Sequence, residues 1–74
     1  MMHNDVLRSV RHMLDLSEGK LIEILKTTDT PVSPEVMSRY LKKEDEEGYM
    51  EVPDEVMSHF LNGLITFKRG KNDR

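Results

Sequence analysis

Apolar residues recur at helical spacing near the end of the chain, and this repeat constrains the fold more than any other feature. Between Val56 and Phe67 the apolar positions cover about half of a helix circumference at about 100° per residue. An arc this wide is typical of a helix that lies at the centre of a domain or contacts two partners. Gly63 falls at the edge of the arc, where a glycine either lets another backbone approach or is a tolerated weak point of the helix.

Three earlier segments repeat apolar residues with the same spacing. The sequence therefore predicts an all-α fold, a compact orthogonal bundle of about four helices forming a single module over residues 1–74. The predicted helices cover about 4–16, 17–27, 33–47 and 54–68. Their expected core positions are Val6, Leu7, Val10, Met13, Leu14, Leu21, Ile22, Ile24, Leu25, Val36, Met37, Tyr40 and Leu41, together with the arc of the last helix.

Each predicted helix begins at a residue that can cap it. Ser33 is the clearest case, because Pro34 suits the first helical position and Glu35 complements the positive end of the helix dipole. Gly48 is the expected terminator of the third helix. The other expected caps are Asn4 or Asp5, Ser17 and Asp54.

The chain has 74 residues and no cysteine, so packing alone must hold its core together. Its 36% apolar content favours a folded domain over a disordered segment. The first residues lack the pattern of a secretory signal, and no apolar run is long enough to span a membrane. We therefore expect a cytoplasmic protein with no membrane partner.

Charge is unevenly distributed along the chain. A net charge of -3 disfavours a general binder of polyanions. Residues 42–55 contain seven acidic and two basic residues, whereas residues 68–74 contain four basic and one acidic residue. We expect charge pairing, within one chain or between copies, from Glu44, Glu46 and Glu47 to Lys68, Arg69 and Lys71.

Few residues suggest catalysis or metal binding. His3, His12 and His59 lack the spacing of metal ligands, and no cysteine accompanies them. Ser9, His12 and Asp15 lie three residues apart, but one helix would place them on its outer surface without a pocket. The acidic run of the third helix lacks the alternating pattern of a calcium loop. The prediction is a protein that is not an enzyme and holds no cofactor or metal.

An alternative hypothesis is nucleic-acid binding, because the second and third helices resemble a helix-turn-helix. Its base or phosphate contacts would come from Arg39, Lys42 and Lys43. The four acids that follow would face phosphates, and the connecting loop is longer than usual for the motif. Nucleic acid therefore stays possible but is not favoured.

Two segments of the chain resemble each other. Residues 33–41 and 53–61 share five of nine positions when aligned. Either a short duplication or the common pattern of two amphipathic helix starts explains this similarity, and one repeat is too few for a solenoid.

Three longer segments are similar to a known family. Residues 4–11, 41–49 and 60–71 resemble, in their order and spacing, the bacterial YehS-like family of uncharacterised domains. The resemblance covers nearly the whole chain and implies no established activity, cofactor or catalytic residue. It implies that such modules usually occur as two copies in about twice this length, so a face that meets a sister module is open here or filled by a second chain.

These observations favour a non-catalytic interaction module that self-associates through the last helix as a homodimer or with a second copy of the module. The competing interpretation, a central core helix, explains the same apolar arc. The expected contact residues are Val56, Phe60, Gly63, Leu64, Ile65 and Phe67.

Overall fold

Four helices make up most of the described chain. The computed structural model describes the backbone of residues 2–72 and the side chains of residues 2–69. The helices are α1 (His3–Met13), α2 (Glu18–Lys26), α3 (Pro34–Tyr40) and α4 (Asp54–Asn72), and no strand occurs among the described residues. The all-α class and the set of four helices agree with the sequence prediction. Helix α1 ends earlier than predicted and α4 ends later.

The core lies where α2 meets α4. Helix α2 packs chiefly on α4 and then on α3, and it contributes three fully buried side chains, Leu21, Ile24 and Leu25. Met13 was expected in the core but is 72% exposed, because α1 ends at this residue. The remaining buried apolar residues are Leu7, Met37, Tyr40, Val52, Met57 and Phe60.

Two serine caps form as predicted. The Ser17 hydroxyl accepts a hydrogen bond from the Lys20 amide at 3.1 Å, at the start of α2. The Ser33 hydroxyl accepts one from the Val36 amide at 3.2 Å, at the start of α3. Each bond satisfies an amide that has no partner within its own helix, so these starts are fixed by neighbouring residues.

The predicted caps of α1 (Asn4 or Asp5) and α4 (Asp54) are wrong. Helix α1 follows Met2, which makes no side-chain cap, and Asn4 and Asp5 lie inside its first turn. Helix α4 begins at Asp54 itself, whose carboxylate contacts the imidazole of His3. Asn4 and Asp54 instead make contacts with residues that are distant in the sequence.

Asn4 joins α1 to the end of α3 and to the connection before α4. It is 1% exposed. Its amide nitrogen donates to the backbone oxygens of Tyr40 at 2.9 Å and Met50 at 2.8 Å. Its amide oxygen accepts from the Val52 amide at 3.0 Å and the Tyr49 hydroxyl at 3.2 Å. Both donors and both acceptor sites of the side chain are therefore used.

Helix α3 ends at Tyr40, seven residues before the predicted end at position 47. The oxygens that would continue it are engaged by α1: Asn4 binds the oxygen of Tyr40, and Arg8 donates to that of Lys42 at 2.9 Å. Acidic residues also oppose the negative end of a helix dipole. The acidic run 44–47 therefore lies in an exposed connection instead of a helix.

Turns shape this acidic connection. The Glu46 amide donates to the Lys43 oxygen at 2.9 Å, and the Glu46 carboxylate accepts from the Lys43 amide at 2.6 Å. Gly48 has a φ of 89°, the left-handed conformation that was expected of it, but it belongs to a turn and ends no helix.

Candidate interaction surface

The inner side of α4 is the central core wall of the domain. Phe60 is 1% exposed, and Met57 is also buried. Val56, Leu64 and Phe67 are half-buried and pack against the same core cluster. Most of the broad apolar arc therefore serves the fold of one chain.

Gly63 marks the place where α4 crosses α2. A β-carbon at this position would lie 2.5 Å from the backbone oxygen of Ile24. It would also lie 3.0 Å from the Ile24 side chain and 3.1 Å from the Thr27 hydroxyl. Only glycine permits this approach of the two helices, so its place in the arc is explained by packing within the chain.

Leu61 and Ile65 are the apolar residues of α4 that remain exposed, at 40% and 55%. They lie four residues apart, on one side of the helix next to the buried side. Five exposed residues of α4 follow one another at alternating spacings of four and three residues. We call them the outer seam: Asp54, Ser58, Leu61, Ile65 and Lys68. Such a 4–3 alternation is the spacing of residues at a contact between two parallel or antiparallel helices.

Charge changes sign along the outer seam. Asp54 lies in the first turn of α4 with its side chain 99% exposed, and its carboxylate is 2.6 Å from the Nε2 atom of His3. Lys68 and the neighbouring Arg69 are exposed near the other end. An acid near the start and bases near the end both complement the helix dipole. The seam is therefore acidic at one end, apolar in the middle and basic at the other end.

The predicted charge pairs do not form within the described part of the chain. Glu44, Glu46 and Glu47 are exposed in the acidic connection, which precedes α4, and Lys68 lies about 21 Å further along that helix. The Lys71 side chain lies outside the described residues. The ion pairs that the described side chains make are His3–Asp54, Asp5–Arg8, Lys20–Glu23 and Glu35–Arg39. Pairing between copies stays a prediction.

The structure divides the predicted contact set. Ile65 is exposed, whereas Phe60 and Gly63 face the core and cannot meet a partner while the domain is folded. Val56, Leu64 and Phe67 can contribute only their outer edges. Leu61 belongs to the predicted apolar arc but not to the predicted contact set. The 4–3 spacing around it is the signal that would have found it.

The residues proposed for nucleic-acid contact lie at and beyond the end of α3. This helix has seven residues, about two turns. Arg39 pairs with Glu35 at 3.2 Å, and the Lys42 side chain packs beside Gly48. Lys43 is exposed next to the acidic run. The structure adds no feature in favour of this alternative, which stays a prediction.

Two tyrosines have altered acidity. Burial raises the pKa of Tyr40 above its ordinary value. Desolvation is also the main cause that raises the pKa of Tyr49, whose hydroxyl donates to Asn4. Three nearby carboxylates, those of Glu51, Glu44 and Asp5, raise the pKa of Tyr49 further. The guanidinium of Arg8 lowers it. Both phenols belong to the packing around Asn4 and the end of α3.

The polar residues considered for chemistry are separated or engaged elsewhere. Ser9 and His12 are exposed on α1, and Asp15 follows the helix in a left-handed turn with φ of 54°. His59 is half-buried, with its Nδ1 atom 2.7 Å from the Thr30 hydroxyl. Within residues 2–72 no three His, Cys, Asp or Glu side chains are arranged to hold a metal ion.

Among the described residues, no helix is both long enough and apolar enough to cross a bilayer.

Fold and surface together define a class: a small all-helical domain with a packed core and an exposed seam on its last helix. Residues 3–70 match the family model described as "Protein of unknown function (DUF1456)". The chain belongs to this family, which confirms the resemblance seen in the sequence.

One curated relative is the "Uncharacterized protein YehS" of Escherichia coli (strain K12), with 47% identity over 73 residues. The alignment covers 99% of this chain and 47% of that protein, so the chain spans about half the length of the relative. No solved structure matches the chain.

Proposed function

We propose that this chain is a helical protein-interaction module with no catalytic role, and that it self-associates through the outer seam of α4. One observation carries the proposal. Leu61 and Ile65 are exposed side by side in the middle of the longest helix, whereas the other apolar residues of α4 are buried or half-buried against the core.

Covering these side chains would also help a small domain. A chain of 74 residues buries a smaller fraction of its surface than a large domain does, so burial against a partner adds noticeably to its stability. The apolar part of the seam is short, which corresponds to a weak association with a dissociation constant of about 10–100 µM.

The relative adds a second argument. More than half of the E. coli protein lies outside the region aligned with this chain, which is room for another domain of similar size. An exposed apolar seam of this kind suits contact with such a neighbouring domain or with a second copy of the chain. We propose that either a homodimer or a second copy of the module covers it.

The chain has no cysteine, and the proposed setting is the reducing cytoplasm.

Sedimentation equilibrium tests the proposal directly. We expect the apparent mass to rise from that of one chain toward that of two between about 10 and about 500 µM. Ile65→Asp should abolish this rise, because a carboxylate would be buried at the contact. Thr66→Asp is the matched control, since Thr66 is exposed on the same turn but lies away from the seam. A wild-type chain that stays monomeric over the whole range contradicts self-association.

A further inference from the structure

The outer seam suggests how two copies are oriented. We infer that a second copy docks with its α4 antiparallel to the first, centred beside position 63, so that Leu61 of each copy packs on Ile65 of the other. This arrangement rests on the proposed function and specifies its geometry.

Spacing along the helix supports this centre. In an antiparallel pair centred at position 63, each residue faces a residue of the other copy. The two lie equally far from position 63, one before it and one after it in the sequence. Leu61 and Ile65 are each two residues away, about 3 Å along the helix axis, so both apolar residues meet in the middle. Ser58 and Lys68 are each five residues away and face one another. Four of the five members of the outer seam thus face another member across the contact.

Charge selects the antiparallel orientation. Asp54 lies about 13.5 Å from the centre and Arg69 about 9 Å on the other side, a difference that a long arginine side chain can span. In the antiparallel pair, Asp54 of each copy therefore meets the Lys68 and Arg69 end of the other. A parallel pair would bring acid to acid and base to base. Antiparallel helix dipoles also place opposite ends together.

The contact of Asp54 with His3 is compatible with this pairing. His3 engages the Oδ1 atom, while the carboxylate remains 99% exposed and has a second oxygen free to accept from a guanidinium. Glu55, exposed in the same first turn of α4, adds negative charge at this end. One seam therefore holds both halves of a complementary contact, so the occupant that fits it is a second copy of the chain.

Cross-linking tests the orientation. The natural chain has no cysteine, so introduced cysteines are the sole thiols. A Leu61→Cys chain and an Ile65→Cys chain of distinguishable mass are mixed and oxidised. The antiparallel dimer predicts that the mixed 61–65 disulfide dominates, because these positions face each other. Preferential 61–61 and 65–65 products would indicate a parallel pair and overturn the inference.

Charge exchange provides an independent test. Asp54→Lys and the double variant Lys68→Glu, Arg69→Glu should each raise the dissociation constant of their own dimer about two- to tenfold, since exposed ion pairs are weak and each occurs twice. Mixing the two variants should restore wild-type affinity, because every seam contact again joins opposite charges. Circular dichroism verifies that each variant is folded. Variants that weaken association but do not restore it on mixing would overturn the antiparallel arrangement.

The tests separate this inference from the proposed function. If the wild type dimerises in sedimentation but the mixed disulfide does not dominate, self-association stands and the antiparallel seam is wrong. If the wild type stays monomeric at the highest concentration, both are wrong.

Discussion

At the scale of single residues, Asn4 shows how one buried side chain joins distant parts of the chain. It has no charge and lies in the first turn of α1, yet its four hydrogen bonds tie that helix to residues 36 to 48 positions away. A buried amide with complete partners contributes modestly when present, but its removal leaves several buried groups unpaired.

We expect Asn4→Ala to lower the free energy of unfolding by about 2–4 kcal/mol, because the Tyr40 and Met50 oxygens and the Val52 amide would lose their partner. Urea denaturation measures this change. Asn62→Ala, at an exposed position of α4, is the control and should change stability by less than about 0.5 kcal/mol. Equal effects of the two substitutions would contradict the role assigned to Asn4.

Gly63 gives a prediction in which packing opposes helix propensity. In an open helix, glycine to alanine stabilises by about 1 kcal/mol. At Gly63 the added carbon would lie 2.5 Å from the Ile24 oxygen, so α2 and α4 must separate. We therefore expect Gly63→Ala to destabilise the domain by about 1–3 kcal/mol.

Gly19 provides the matched control for that substitution. A β-carbon there would meet only the Ser17 hydroxyl, at 3.9 Å, and the position is exposed in the first turn of α2. Gly19→Ala should leave stability unchanged or raise it by up to about 1 kcal/mol. Thermal unfolding of both variants compares them, and stabilisation by Gly63→Ala would show that the helices do not approach closely.

At the scale of elements, the connection between α3 and α4 shows how tertiary contacts displace a helix. Tyr49 anchors it through the bond from its hydroxyl to Asn4. Because the pKa of Tyr49 is raised in the folded chain, the folded state holds this proton at a pH where the unfolded chain releases it. The resulting stability is complete below the ordinary tyrosine pKa of about 10 and is lost as the pH rises above it.

We expect the free energy of unfolding to decrease above about pH 10, and Tyr49→Phe to reduce the slope of that decrease. Urea denaturation at successive pH values gives the slope, and phenolate absorbance reports the titration itself. Tyr40→Phe serves as the comparison, because burial also raises the pKa of Tyr40. If neither substitution alters the slope, groups other than these two tyrosines cause the loss of stability at alkaline pH.

At the scale of the whole molecule, α4 is the longest element. The molecule extends 42 × 23 × 20 Å, and the 19 residues of α4 alone span about 28 Å. The first part of this helix forms the core wall, and its exposed seam runs from an acidic to a basic end.

Salt dependence should reveal this distribution of charge. Raising the ionic strength from about 0.05 to about 0.5 M should weaken the wild-type dimer, because salt screens the attraction between the opposite ends. For the variant Lys68→Glu, Arg69→Glu the sign should reverse, since both ends are then acidic and salt screens their repulsion. Sedimentation at the two ionic strengths measures both. A wild-type dissociation constant that falls with salt would argue against ionic contacts in the interface.

Much of the fold was predictable from neighbouring residues. The Ser17 and Ser33 caps and the apolar spacing of all four helices depend on interactions within about one helical turn, so the sequence by itself determines them. The family membership was also evident from segments of the sequence.

Other features depend on residues that are distant in the sequence, and only the tertiary structure decided them. Helix α3 stops at Tyr40 because Asn4 engages the backbone oxygen of Tyr40 and Arg8 engages that of Lys42. The broad arc of α4 is divided into a core wall and an outer seam because α2 packs closely at Gly63. Apolar spacing gives the width of a helix face, but it cannot say which part of that face a neighbouring helix covers.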